Sequence, residues 1–178
     1  MTEKEKKQVK MHMNFFDQCE LAIENGYYLE AIMMEYAAIE SRLESICGVL
    51  GLPCGQRCPC RRDIKISNRI QCLRVCRNKN QIIFANTKLP ETFFCEKGEL
   101  KTWIRGRDIR VHGLFKSEEE FFNRIAKNEK LAKIGLTYAR LLYNEAKRLR
   151  RLSNHVNLFN NTVLTCKKGI KCNAYKGV

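Results

Sequence analysis

Residues 28–50 read YLEAIMMEYAAIESRLESICGVL. Leu29, Ile32, Met33, Tyr36, Leu43, Ile46, Cys47 and Leu50 recur at threes, fours and one seven, the spacing that lines one face of an α-helix. Gly51-Leu52-Pro53 closes the run, because proline cannot continue a helix. Upstream, Val9, Met13, Phe16 and Ile23 carry the same period over residues 3–24, and Asn25-Gly26 makes the connection tight. Two long amphipathic helices joined by so short a turn are expected to lie antiparallel.

The pattern continues downstream. Residues 51–65 read as an irregular, basic, cysteine-rich loop, and Ile66, Ile70, Leu73 and Arg77 suggest a short third helix. Residues 78–90 stay ambiguous, since QIIFA (81–85) fits either a strand or a buried turn. A further helix is expected from Pro90-Glu91 to about Arg107, with Leu100, Trp103, Ile104 and Arg107 on one face. That face turns Arg107 inward. Ser117-Glu118-Glu119-Glu120 reads as a capping box, with acids suited to the positive end of the helix dipole. Behind it a long helix should run to about Leu152, with Phe121, Ile125, Ala132, Leu136, Ala139, Tyr143, Ala146 and Leu149 inward. The expected fold is all-α: an antiparallel helical bundle over residues 1–154, with short extra helices and a cysteine-rich loop, then a basic tail over 155–178.

Composition narrows the function. Lysine and arginine number 33 against 19 acids, a net charge of +14 in 178 residues. Such an excess speaks of partners rather than of fold, and nucleic acid is the partner it favours. No apolar run approaches the ~20 residues that span a bilayer, so no membrane partner is expected. MTEKEKKQVK at the start is charged, with no apolar segment behind it, and does not read as an export signal, which points to the cytoplasm. Ten cysteines in that setting are expected as reduced, small apolar side chains rather than a disulfide framework. Cys54, Cys58, Cys60 and Cys72 could converge as soft zinc ligands, but their spacings contain no C-x2-C knuckle.

The chemistry concentrates in RGRDIRVHGLF, residues 105–115. Arginine offers a permanently charged planar fork suited to phosphate, and histidine gives or takes a proton near neutral pH. Together they suffice to cleave RNA without a metal or other cofactor. The substrate's own 2′-hydroxyl is the nucleophile, the histidine moves the proton and the arginine offsets charge at the transition state. Asp108 reads as a carboxylate that holds Arg107 or an amide, and Arg105 and Arg110 as contacts to flanking phosphates. Arg107 and His112 stand five positions apart, about 140° around a continuous helix, and would not meet there. Either the backbone breaks between them, or two copies meet across a two-fold axis so that one chain's histidine faces the other's arginine. Glu40 interrupts the apolar stripe of the second helix. It reads either as a clamp on Arg107 or Arg105, or as a boundary side chain reaching solvent.

Arg107-Asp108-Ile109-Arg110-Val111-His112 resembles the R-x4–6-H motif of HEPN domains (higher eukaryotes and prokaryotes nucleotide-binding). Gly113, the acidic 117–120 stretch and YYLEAIMMEYAAIESRLESI (27–46) are similar to what those domains carry around it. The resemblance spans roughly residues 5–152. It implies a helical bundle that dimerises to place two motifs in one cleft. It also implies, for many members, metal-independent endoribonuclease activity, with Arg107 and His112 as the catalytic pair and Asp108 as its polar companion. Some members are inactive nucleic-acid-binding or regulatory modules instead. One toxin branch pairs with an antitoxin that modifies a tyrosine two residues after the histidine; that position here is Leu114. An antitoxin or other regulatory protein thus joins RNA and a second copy among the expected partners.

Overall fold

The structure is a computed structural model describing residues 3–52, 65–79, 81–113 and 118–155. It is all-α. Among the described residues there are six helices and no strand: α1 (Glu3–Glu24), α2 (Tyr28–Val49), α3 (Ile66–Lys79), α4 (Gln81–Phe84), α5 (Glu99–Gly113) and α6 (Glu118–His155). No described helix is long and apolar enough to cross a membrane.

The first two helices end as their sequence demands. Tyr27 N–H donates to Ala22 O at 2.8 Å and Gly26 N–H to Ile23 O at 3.1 Å. At the end of α2, Leu52 N–H donates to Cys47 O at 2.8 Å and Gly51 N–H to Gly48 O at 3.1 Å. Both pairs are the double closure of a Schellman cap, which needs a left-handed residue. Gly26 (φ +78°) and Gly51 (φ +62°) supply it without a Cβ to clash.

The chain divides into two compact units, residues 1–39 with 100–141 and residues 40–99 with 142–178, so α2 and α6 each contribute to both. The core of the first unit holds Phe16, Ile23, Ile32, Ile39, Leu100 and Trp103. The indole Nε1 of Trp103 donates to Leu131 O at 2.8 Å, which anchors α5 on α6. That approach depends on Gly135. A Cβ there would collide with Glu35 Oε2 and lie 2.5 Å from Trp103 Cζ2.

The core of the second unit holds Leu43, Ile46, Ile70, Leu73, Phe93 and Leu149. Buried Arg69 on α3 reaches Glu40 Oε1 at 3.2 Å and Glu44 Oε2 at 3.4 Å, two carboxylates one turn apart on α2. Arg148 Nη2 donates to Ile83 O at 2.8 Å, and Arg77 Nη1 to Pro90 O at 2.7 Å. Arginines thereby satisfy carbonyls that a short helix and a turn leave over.

Four expectations need correction. QIIFA is neither strand nor buried turn: residues 81–84 form α4, whose Ile83 carbonyl is taken by Arg148. The fifth helix starts at Glu99 rather than Pro90, because residues 90–98 fold into successive turns. There Phe93 N–H donates to Pro90 O at 3.1 Å and Cys95 N–H to Thr92 O at 2.8 Å, burying Phe93 and Phe94 together. That helix also runs past Arg107 to Gly113. On α2, Met33 is 45% exposed, and the buried face runs Ile32, Glu35, Ile39, Leu43, Ile46, Leu50.

Candidate functional site

The 105–113 motif occupies the last turns of α5. Trp103 fixes the helix rotation by its bond to Leu131, and Arg107, four residues on, shares that face. The Arg107 side chain is only 15% exposed, so the inward turn read from the apolar spacing holds. Its guanidinium lies over the Tyr36 ring at 4.2 Å from the centroid. Nη1 donates to Asp108 Oδ1 at 2.9 Å. Nη2 points at Met33 Sδ, 3.4 Å away. Nε is buried without a hydrogen-bond partner among the described residues. The result is a cation held over an aromatic face, its position set by α2 and α5 together.

The other motif arginines differ. Arg110 Nη1 donates to Gly106 O at 2.9 Å, one turn back along its own helix, and Arg105 is exposed. Gly106 sits close enough to Leu131 that a Cβ would lie 3.1 Å from its Cδ1. Position 112 is on the same unbroken helix as position 107, so the two stand about 140° apart around the axis. Of the two remedies the sequence allowed, a backbone break between them is absent. The His112 side chain lies outside the described residues.

Glu40 clamps neither Arg107 nor Arg105: its Oε1 is engaged by Arg69. A carboxylate that the structure does bury is Glu35, fully enclosed, with neither oxygen hydrogen-bonded among the described residues. Burial pushes its pKa up from 4.5 to about 9, so the group is neutral at pH 7. The Cys19 thiol on α1, also fully buried, is pushed up to about 12, first by burial and then by Glu35. Cys19 and Glu35 stand eight positions either side of Tyr27, as facing residues of an αα-hairpin do. Glu35 immediately precedes the tyrosine that carries Arg107. A signal for it was present, since Ile32, Glu35, Ile39 and Leu43 keep helical spacing straight through the acid.

Of the zinc candidates, Cys54, Cys58 and Cys60 lie outside the described residues, and Cys72 is half-buried on α3. Among the described residues no group of three histidines, cysteines or carboxylates could hold a metal ion. Cys19, Cys47 and Cys76 are buried, small side chains within the packed helices.

Protein-family models, curated proteins and solved structures compared with this chain give no match.

Proposed function

We propose that this chain is a HEPN-type endoribonuclease acting in the cytoplasm without metal, as a homodimer in which Arg107 of one copy works with His112 of the other. The observation that carries the reading is the Arg107 guanidinium, laid on Tyr36 and held by Asp108, on one continuous helix with position 112. An arginine so oriented is preorganised for the charge that develops on a phosphoryl group. Helix continuity gives the second copy its role, since one chain cannot bring both positions to a single phosphate.

The reaction is a transesterification. The ribose 2′-oxygen attacks phosphorus while the histidine assists the proton transfer, and the bond to the 5′-oxygen breaks. The products are a 2′,3′-cyclic phosphate and a 5′-hydroxyl end. Neither redox chemistry nor a protein nucleophile is required. An antitoxin or other regulatory protein would act by covering the shared cleft.

The test is cleavage of single-stranded RNA in EDTA, with end-group analysis. Cyclic-phosphate products are expected from the wild type, with losses of at least about 100-fold in His112→Ala and Arg107→Ala. Activity abolished by chelation, or retained in His112→Ala, refutes the mechanism. One observation favours a second reading, a non-catalytic nucleic-acid-binding or regulatory dimer. Arg107 already has three neighbours and little exposure, as a structural strut would. That reading expects salt-sensitive RNA binding that survives His112→Ala, with no cleavage.

A further inference from the structure

The two arms of the Arg107 guanidinium end differently. Nη1 donates to a carboxylate, Asp108 Oδ1, at 2.9 Å. Nη2 faces a thioether, Met33 Sδ, 3.4 Å away. Thioether sulfur is a weak acceptor, so this arm keeps its charge largely unanswered by the group it faces. The Tyr36 ring lies under the same guanidinium, its centroid 4.2 Å away. Met33 and Tyr36 stand at i and i+3 on α2, so the sulfur and the ring bound one cation from one helix face. All three residues belong to the first unit.

Met33 is also open to solvent. It is 45% exposed, one position off the buried face that carries Ile32, Glu35 and Ile39. A flexible, polarizable thioether in that position is what a small oxidant attacks, and it takes one oxygen without any change in the backbone. The product is a sulfoxide, whose oxygen is a strong acceptor where the sulfur was a weak one. Three rotatable bonds let the side chain turn that oxygen onto Nη2. A weak N–H···S contact then becomes a charge-assisted N–H···O bond.

We propose that Met33 is a reversible oxidation site that gates Arg107: hydrogen peroxide converts its sulfur to the sulfoxide, whose oxygen takes Nη2 and withdraws the guanidinium fork from phosphate. The sulfur lone pair attacks one peroxide oxygen, and the S–O bond forms as the O–O bond breaks. The proton of the transferred hydroxyl passes to the departing hydroxide, giving water. Sulfur loses two electrons and the peroxide gains them. A methionine sulfoxide reductase, with thiols as the electron source, returns the thioether. A fork grips phosphate through two parallel N–H groups, so capture of one arm while Asp108 holds the other weakens that grip. The effect on RNA rests on the ribonuclease reading; the capture of Arg107 does not.

The test uses the full chain, treated with hydrogen peroxide and then with dithiothreitol, which restores thiols from sulfenic acids and disulfides and leaves a sulfoxide in place. Peptide mass spectrometry is expected to find one added oxygen on Met33, with the exposed Met11 as the reference for an open thioether. Phenylglyoxal, which bonds to both Nη atoms of an arginine, reads Arg107 in the same peptide maps. Its rate of modification should fall about ten-fold on oxidation, the effect of one hydrogen bond to a charged group. Methionine sulfoxide reductase should restore it. Met33→Gln, which offers an amide oxygen in the sulfoxide's place, should show the slow rate without peroxide. In Met33→Leu the Arg107 rate should not respond to peroxide. RNA cleavage is expected to follow Arg107 reactivity through each of these states. Met33 left unoxidised while Met11 takes oxygen overturns the site, and so does an Arg107 rate unchanged by the sulfoxide. A captured Arg107 with cleavage still at the reduced protein's rate overturns the gating. Reduced protein that cleaves no RNA, with Arg107 still captured on oxidation, refutes the ribonuclease and not the capture.

Discussion

Glu35 keeps two carboxyl oxygens in the core of the first unit with no hydrogen-bond partner among the described residues, and it is folded there as the neutral acid. The sign of the consequence follows from proton counting. In the unfolded chain the group ionises above about 4.5; in the folded chain it keeps its proton to about 9. Between those values the folded state binds the extra proton, so stability falls as pH rises through the window and levels off above it. Glu35→Gln removes the titration. It is expected to be near neutral at pH 4 and to stabilise by about 3 kcal/mol at pH 7, with the gain flattening above pH 9. Denaturant unfolding at several pH values checks this, and a pH-independent difference would contradict the buried-acid account. At the neighbouring position, Tyr36 supports Arg107, a contact of roughly 0.5–2 kcal/mol that orients as much as it stabilises. The inward turn of Arg107 was legible from Leu100, Trp103 and Ile104 around it. The choice between Glu35 and Glu40 was not. Both interrupt apolar runs, and only the position of α3, bringing Arg69 to Glu40, sends one to an ion pair and leaves the other bare.

Among elements, α5 is the one whose placement decides the site. It is hung on α6 by Trp103, whose indole reaches the Leu131 carbonyl across the bare backbone of Gly135. Gly135→Ala puts a methyl group against Glu35 and into the indole ring. It is expected to destabilise by about 2–4 kcal/mol, since neither neighbour has room to retreat. Trp103 is the chain's only tryptophan, so its fluorescence reports the same event. A red shift in the folded variant would mean that α5 has lifted from α6, while an unchanged spectrum and melting temperature would mean that the bare backbone of Gly135 does not hold α5 in place. The long helices α1, α2 and α6 were legible because their apolar periods are sustained and their ends carry glycine, proline or acids. The start of α5 was not. Phe93-Phe94, read in isolation, suit a helix, but their burial as a pair inside successive turns depends on what packs around them.

At the scale of the whole molecule, the proposed ribonuclease needs two chains. Mixing Arg107→Ala with His112→Ala subunits tests that directly. If each site takes its arginine from one copy and its histidine from the other, a mixed dimer keeps one intact site. Re-equilibrated mixtures should then recover about a quarter of wild-type activity. No recovery, with dimers confirmed by light scattering, would place both groups in one chain or neither in a site. The net charge of +14 belongs to this scale too, since it raises the rate of encounter with a polyanion before any contact forms.

By itself the sequence determined that this chain is helical, where its long helices run, that Arg107 turns inward, and that its surface is strongly basic. These follow from local period, capping residues and summed charge, which act without knowledge of the fold. Tertiary structure alone decided that α5 stays helical through Gly113, that Arg69 claims Glu40, and that Glu35 is buried among apolar side chains. Each of these depends on side chains distant in sequence sharing one small volume, where desolvation and pairing are settled by what packs alongside.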